Sequence, residues 1–159
     1  MSKEGAHFRK RARECRDLAV RARDQAAAQE LSDIASELEA EAARIEAEER
    51  QRAQIATDFA KAVTMTANEF EEWLRTPESR AVGWKGSDGR RSESVGHASG
   101  RRIVQILRTP VHNLTEDDYA HMRKVVGFTR RHLGQQPINT VTSRWRYSLM
   151  NWGHDPLKG

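Results

Sequence analysis

Four basic side chains recur at helical spacing within residues 115–133, and together they could neutralise the charge of a polyanion. At about 100° per residue this segment divides into two faces, and the small residues Ala120 and Gly127 lie on the basic side. Phosphate contacts by such cations release counterions, so this face predicts nucleic-acid binding. The basic residues are Arg123, Lys124, Arg130 and Arg131. The apolar face carries Met122, Val125, Val126, Thr129 and Leu133.

Further basic residues surround this segment. Positions 80 to 146 hold thirteen basic and five acidic side chains, a net charge of +8, whereas the whole chain carries only +4. We predict additional phosphate contacts from a second helix and from an arm formed by a loop over residues 82–96. The helix supplies Arg101, Arg102 and Arg108, and the loop supplies Lys85, Arg90 and Arg91.

The histidines, serines and cysteine show no comparable pattern for catalysis or metal binding. His121 and His132 are three helical turns apart, and the sequence contains no His-x-x-x-His pair. Ser148 and His154 belong to no nucleophile motif. We therefore expect no catalytic residue, no metal and no cofactor, and an enzyme is the least favoured class of protein. The single cysteine, Cys15, excludes an intrachain disulfide.

Helices must position these basic side chains, and the sequence predicts an all-α protein of two modules, residues 1–54 and 55–159. The spacing over residues 7–54 predicts an antiparallel helical hairpin with a break near Asp24, a basic first arm and an acidic second arm. Because the apolar stripe is thin, we expect the hairpin to dock a partner or to form a homodimer. In the first arm the stripe holds Phe8, Ala12, Cys15, Leu18, Ala19 and Ala22.

Residues 55–159 predict a compact module of several helices. Thr66 and Glu69 have capping-box spacing, Pro77 suits a first helical turn, and Thr115 with Asp118 begins the basic helix. We expect the apolar sides of these helices to meet in one core. Its predicted members are Phe70, Trp73, Ile103, Ile106, Leu107, Met122, Val126, Trp145, Leu149 and Trp152.

Three features of this module leave alternatives open. The basic face could be ordinary solvated surface, which is common on helices. The helix pair over residues 97–133 resembles a helix-turn-helix only loosely, because its connector contains a proline and exceeds the usual three or four residues. Trp145, Tyr147 and Trp152 could stack on bases, but tryptophans at helical spacing more often belong to a core, which Trp84 could join.

Four blocks of sequence in this module are distinctive. They read FEEWL at 70–74, SVGH with SGRRIV within 94–104, DDYAHMRKVV at 117–126 and WRYSLMNWGHDP at 145–156. With these blocks, residues 66–158 resemble a family known as domain of unknown function 3140. Some members of that family carry a DNA-binding label, so the resemblance implies DNA binding, and it supplies no catalytic residues.

The N-terminal module has a resemblance of its own. Beginning at His7, it follows the pattern His-aromatic-x-x-x-Ala-x-x-Cys-Arg-x-Leu-Ala and is similar to short helical proteins of proteobacteria. Leu38 stands where those proteins tend to carry an aromatic residue in the second arm. This resemblance implies a helical fold and no particular function.

The sequence thus predicts a small non-enzymatic protein that binds duplex DNA with low sequence specificity. The rival hypothesis is a protein–protein adaptor whose basic face binds an acidic partner. The N-terminus has no apolar segment typical of a secretory signal, and no run of residues is apolar enough to span a membrane. We therefore expect a cytoplasmic protein.

Overall fold

The computed structural model describes residues 3–85 and 93–158, and in this part of the chain all regular secondary structure is helical. The predicted all-α class is confirmed. A short 3-10 helix, Val111–Asn113, precedes the sixth α-helix. The α-helices are α1 (Lys3–Arg21), α2 (Gln25–Ala62), α3 (Ala67–Leu74), α4 (Pro77–Ala81), α5 (Val95–Arg108), α6 (Glu116–Leu133) and α7 (Arg144–Met150). None of the helices in the described residues is long and apolar enough to cross a membrane.

The chain divides into two compact units, Met1–Gln54 and Ile55–Gly159. The boundary falls inside α2, whose sequence contains no glycine or proline that would interrupt the helix. Residues 46–52 therefore lie within a continuous helix.

The N-terminal unit is the predicted antiparallel helical hairpin. The Asp24 carboxylate accepts a hydrogen bond from the backbone N–H of Ala27 at 3.1 Å and so caps α2. Arg9 pairs with Glu46 at 2.7 Å and Arg16 pairs with Glu39 at 2.6 Å. Residue numbers therefore increase along α1 in the direction in which they decrease along α2, as in an antiparallel pair. These pairs join the basic arm to the acidic arm. The fully buried side chains of this unit are small: Ala12, Ala35 and Ala42.

One part of the predicted stripe is wrong. Leu18 was expected on the buried face, but 54% of it is exposed. The two helices approach each other through alanines, and a pair of helices cannot enclose a larger side chain near its end.

Local capping signals position the helices of the C-terminal unit. Thr66 with Glu69 forms a capping box at α3, and Thr115 with Asp118 forms one at α6. Pro77 occupies the first turn of α4, as predicted. Ser94 caps α5, which therefore begins two residues before the predicted start at residue 97.

Helix α3 packs closely against α5 in the C-terminal unit because α5 carries Gly100 at the contact. A Cβ atom at this position would lie 2.7 Å from Leu74 Cδ2 and 2.9 Å from the Asn151 carbonyl oxygen. Around this contact, the buried core includes most of the residues predicted for it: Phe70, Ile103, Ile106, Met122, Val126, Leu149 and Trp152.

Other predicted core positions are wrong or only half-buried. Leu107 is 37% exposed and Trp84 is 61% exposed, while Trp73 and Trp145 are half-buried. Position on the apolar side of a single helix does not determine whether a second helix covers that side.

Candidate nucleic-acid interface

The outer face of α6 presents the four predicted cations to solvent. Met122, Val125, Val126 and Thr129 are buried and fix the orientation of the helix, and Leu133 is partly exposed at its end. The cations Arg123, Lys124, Arg130 and Arg131 are all exposed.

Most of these cations are available for an external anion. Among the described residues, Arg123 and Arg131 form no ion pair within 4.0 Å. Arg130 lies 3.3 Å from the Asp58 carboxylate, yet its side chain remains 68% exposed. Surface pairs of this kind contribute at most about 1 kcal/mol, so a phosphate can compete for Arg130.

The centre of the face is open, as the small residues there predict. A Cβ atom added at Gly127 would meet only the flexible end of Arg131, at 3.3 Å, and Ala120 is exposed. A phosphate backbone can therefore approach the helix between Arg123 and Arg131.

The three predicted arginines of α5 are in a different state, because each pairs with a carboxylate. Arg101 pairs with Glu93 at 2.6 Å, and Arg102 pairs with Asp118 at 2.7 Å. The hydrogen bonds of Thr115, and secondarily Arg102, lower the pKa of the Asp118 carboxyl. The α5 arginines are therefore held in place, and their charge is partly neutralised.

The ion pair of Arg108 lies beside a cleft between α3 and α5. Its guanidinium donates to Glu71 at 2.8 Å and to the Asn68 side chain at 3.2 Å. The Arg108 hydrogen bond lowers the pKa of Glu71. Arg108 thereby connects α5 to α3 and lines a cleft between them of about 530 Å³.

This cleft brings together cations that were not among the predicted phosphate contacts. Arg75, at the end of α3, and Arg80, on α4, line it together with Arg101 and Arg108. Arg75 and Arg80 lie on short helices without a basic face, so helical spacing gave no sign of them. Arg80 and Arg101 also line an adjoining pocket with the predicted Lys85. The predicted Arg90 and Arg91 lie outside the described residues.

The aromatic residues divide into structural and accessible ones. The Trp145 indole N–H donates to the His132 carbonyl at 2.6 Å, and that of Trp73 donates to the Asn151 side chain at 2.8 Å. Tyr147 packs on Trp73, with ring centroids 5.4 Å apart. These contacts favour the interpretation of Trp145 and Tyr147 as parts of the fold.

A third pocket, of about 310 Å³, lies beside the α6 face. On its wall, the ring of Phe128 is stacked between His132 and Trp152, at centroid distances of 3.7 and 4.2 Å. Lys124 Nζ lies 5.9 Å from the Trp152 ring centroid. Trp84 also lines the pocket.

Two of the histidines, His121 and His154, form hydrogen bonds within the fold. His121 Nε2 lies 3.0 Å from Ser99 Oγ, and burial, followed by the charge of Lys124, lowers the pKa of its imidazole. His154 Nδ1 lies 2.8 Å from the Ala62 carbonyl oxygen. Within the described part of the chain, no group of three or more metal-ligating side chains comes together.

Comparison with known protein families confirms the C-terminal resemblance. The family described as "Protein of unknown function (DUF3140)" matches residues 58–150, which is more than half of the chain. No curated protein and no solved structure matches the chain. Because the match begins after the N-terminal unit, the similarity of that unit to helical proteins of proteobacteria stays a prediction.

Proposed function

Since this chain belongs to the DUF3140 family, which is described only as having an unknown function, we propose a function from the chemistry of its surface: non-enzymatic binding of duplex DNA. The α6 face is the observation that carries this proposal. Its exposed cations flank an open backbone at Gly127, which suits a phosphate backbone better than a small anion. Because cations contact the phosphates of every sequence, we expect low sequence specificity. We also propose that the protein acts in the cytoplasm.

Replacing Arg123 and Arg130 with alanine should weaken DNA binding without unfolding the protein. Both side chains are exposed, so each change should alter the free energy of unfolding by no more than about 0.5 kcal/mol. Each lost phosphate contact should reduce the slope of log K against log salt by about 0.9, or about 1.8 for both. Titration of a duplex at several salt concentrations measures the slope, and thermal melting measures the fold.

A matched control distinguishes contact at this face from general loss of charge. Replacing Arg11 and Arg13, which are exposed on α1, removes the same charge from the other unit and should leave the slope unchanged. If both double variants lower the slope equally, α6 is not the contact face. If the unaltered protein shows no salt-dependent binding to duplex DNA, the proposal fails, and an acidic protein partner becomes the ligand to test.

We also propose that the N-terminal hairpin pairs with a second copy of itself. It exposes Leu18, Val20 and Ile34, and burial of these side chains against a copy would stabilise the pair. Two α6 faces joined in this way would bind DNA with higher avidity than one.

Removal of residues 1–54 should abolish the dimer and leave a folded monomer. The remaining chain keeps Ile55 and Phe59, which belong to the core of the C-terminal unit. Light scattering should give the mass of two chains for the full-length protein and of one for residues 55–159, with circular dichroism still helical. An unchanged oligomer, or an insoluble shorter chain, would contradict this prediction.

A further inference from the structure

The pocket beside the α6 face combines aromatic surface with cations. Its lining includes Trp84, Phe128 and Trp152 together with His132, and Lys124 and Arg131 line it as well. The volume of about 310 Å³ lies at the small end of the range of small-molecule pockets, roughly 300–1,000 Å³. Its size and lining therefore suit one planar ring system that is joined to an anionic group.

Backbone geometry holds Trp84 at this pocket. Gly83 adopts a positive φ of 102°, and a Cβ atom there would lie 2.7 Å from Ser94 Oγ, so the turn requires glycine. The Trp84 carbonyl then accepts a hydrogen bond from the Val95 N–H at 3.0 Å, at the start of α5. Trp84 is 61% exposed, and aromatic side chains of this kind are the ones on which nucleobases stack.

Two cations connect the pocket to the α6 face. Lys124 and Arg131 line the pocket, whereas Arg123 and Arg130 lie about 100° away around the helix and do not line it. A strand whose phosphates contact Lys124 and Arg131 would therefore lie next to the pocket.

We infer that this pocket takes one unpaired nucleobase, stacked on Trp84, while Lys124 and Arg131 hold the phosphates of the same strand. The inference rests on the proposed function and makes it more specific. We therefore expect the protein to prefer DNA that already contains an unpaired base, because removing a base from a perfect duplex costs unstacking and unpairing energy. Stacking on an aromatic side chain tolerates any base.

Three duplexes of equal length test the inference. One is perfectly paired, one carries a single bulged nucleotide, and one carries the same bulge without its base. The duplex with the bulged nucleotide should bind at least roughly tenfold more tightly than the other two, because stacking of one base on an aromatic side chain changes affinity by about this factor. The abasic bulge keeps the phosphates and the bend of the duplex, so it isolates the base.

Variants at position 84 connect the preference to the pocket. Trp84→Ala should remove the preference, so that the bulged and the perfect duplex bind alike, and Trp84→Phe should restore part of the preference. The double replacement of Arg123 and Arg130 should weaken binding to all three duplexes alike. Thermal melting confirms that each variant is folded.

The possible failures are distinguishable. Equal affinity for the three duplexes would overturn the inference and leave the proposed function standing. A preference that survives Trp84→Ala would also overturn it, because the base would then stack elsewhere. Absence of binding to every duplex would overturn both the proposed function and the inference that rests on it.

Discussion

Replacing Asn151 with alanine is expected to lower the free energy of unfolding of the C-terminal unit by about 3 kcal/mol. Asn151 is 1% exposed, and its side-chain oxygen accepts hydrogen bonds from the Trp73 indole at 2.8 Å and from Ser79 Oγ at 2.6 Å. Its amide nitrogen donates to the Ser79 carbonyl at 2.8 Å. Alanine would remove all three hydrogen bonds at once, leave the groups of Trp73 and Ser79 without their partner, and leave a small void. Denaturant unfolding measures the loss.

The control for this prediction is Asn113, which is exposed in the 3-10 helix. Asn113→Ala should change the free energy of unfolding by no more than about 0.5 kcal/mol. Asn151→Asp should also destabilise the unit, because it replaces the amide donor with an acceptor and buries a charge. A loss below about 1 kcal/mol for Asn151→Ala would show that water or rearrangement replaces these hydrogen bonds.

Replacing Asp155 with alanine should cost about 3–5 kcal/mol, since it leaves Arg146 as an uncompensated, largely buried charge. Both oxygens of Asp155 accept hydrogen bonds from the Arg146 guanidinium, each at 2.9 Å. The Asp155 and Arg146 side chains are only 8% and 18% exposed. Replacing both, as Arg146→Met with Asp155→Leu, should cost less than Asp155→Ala alone because no charge stays buried. A double variant that is less stable than the single one would contradict this explanation.

The same pair predicts a dependence of stability on pH. The Arg146 hydrogen bonds lower the pKa of Asp155 below that of an ordinary aspartate, about 3.9. Its contribution to stability is therefore complete above the unfolded-state pKa and is lost as pH falls through the lower, folded-state value. Unfolding curves measured between neutral pH and about pH 2 should show a smaller acid-induced loss for the double variant than for the unaltered protein.

Helix boundaries and faces could be predicted from the sequence because their causes are local. The capping boxes at Thr66 and Thr115 each involve residues three positions apart, and the apolar side of α6 follows from its spacing alone. These signals sufficed for the all-α fold, the hairpin and most of the C-terminal core.

Properties that depend on pairing between helices could not be predicted. Arg101 and Arg108 of α5 are exposed and Arg102 is half-buried, and the carboxylate partners of all three come from other segments. Asn151 gave no signal, because nothing in its neighbourhood in the sequence shows that Trp73 and Ser79 surround it. The cleft with Arg75 and Arg80 and the exposure of Trp84 likewise arise only when separate segments meet.

The long-range hydrogen bonds of the C-terminal unit set an order of events during protein synthesis. They join positions as far apart as Ala62 and His154, 92 residues, whereas the ion pairs of the hairpin span 37 and 23. The hairpin can form as soon as both of its arms have left the ribosome, but the C-terminal unit must wait for residues 146–155. A nascent chain that stalls before this segment leaves Phe70 and Ile103 uncovered, and we expect chaperones and proteases to recognise it at that stage.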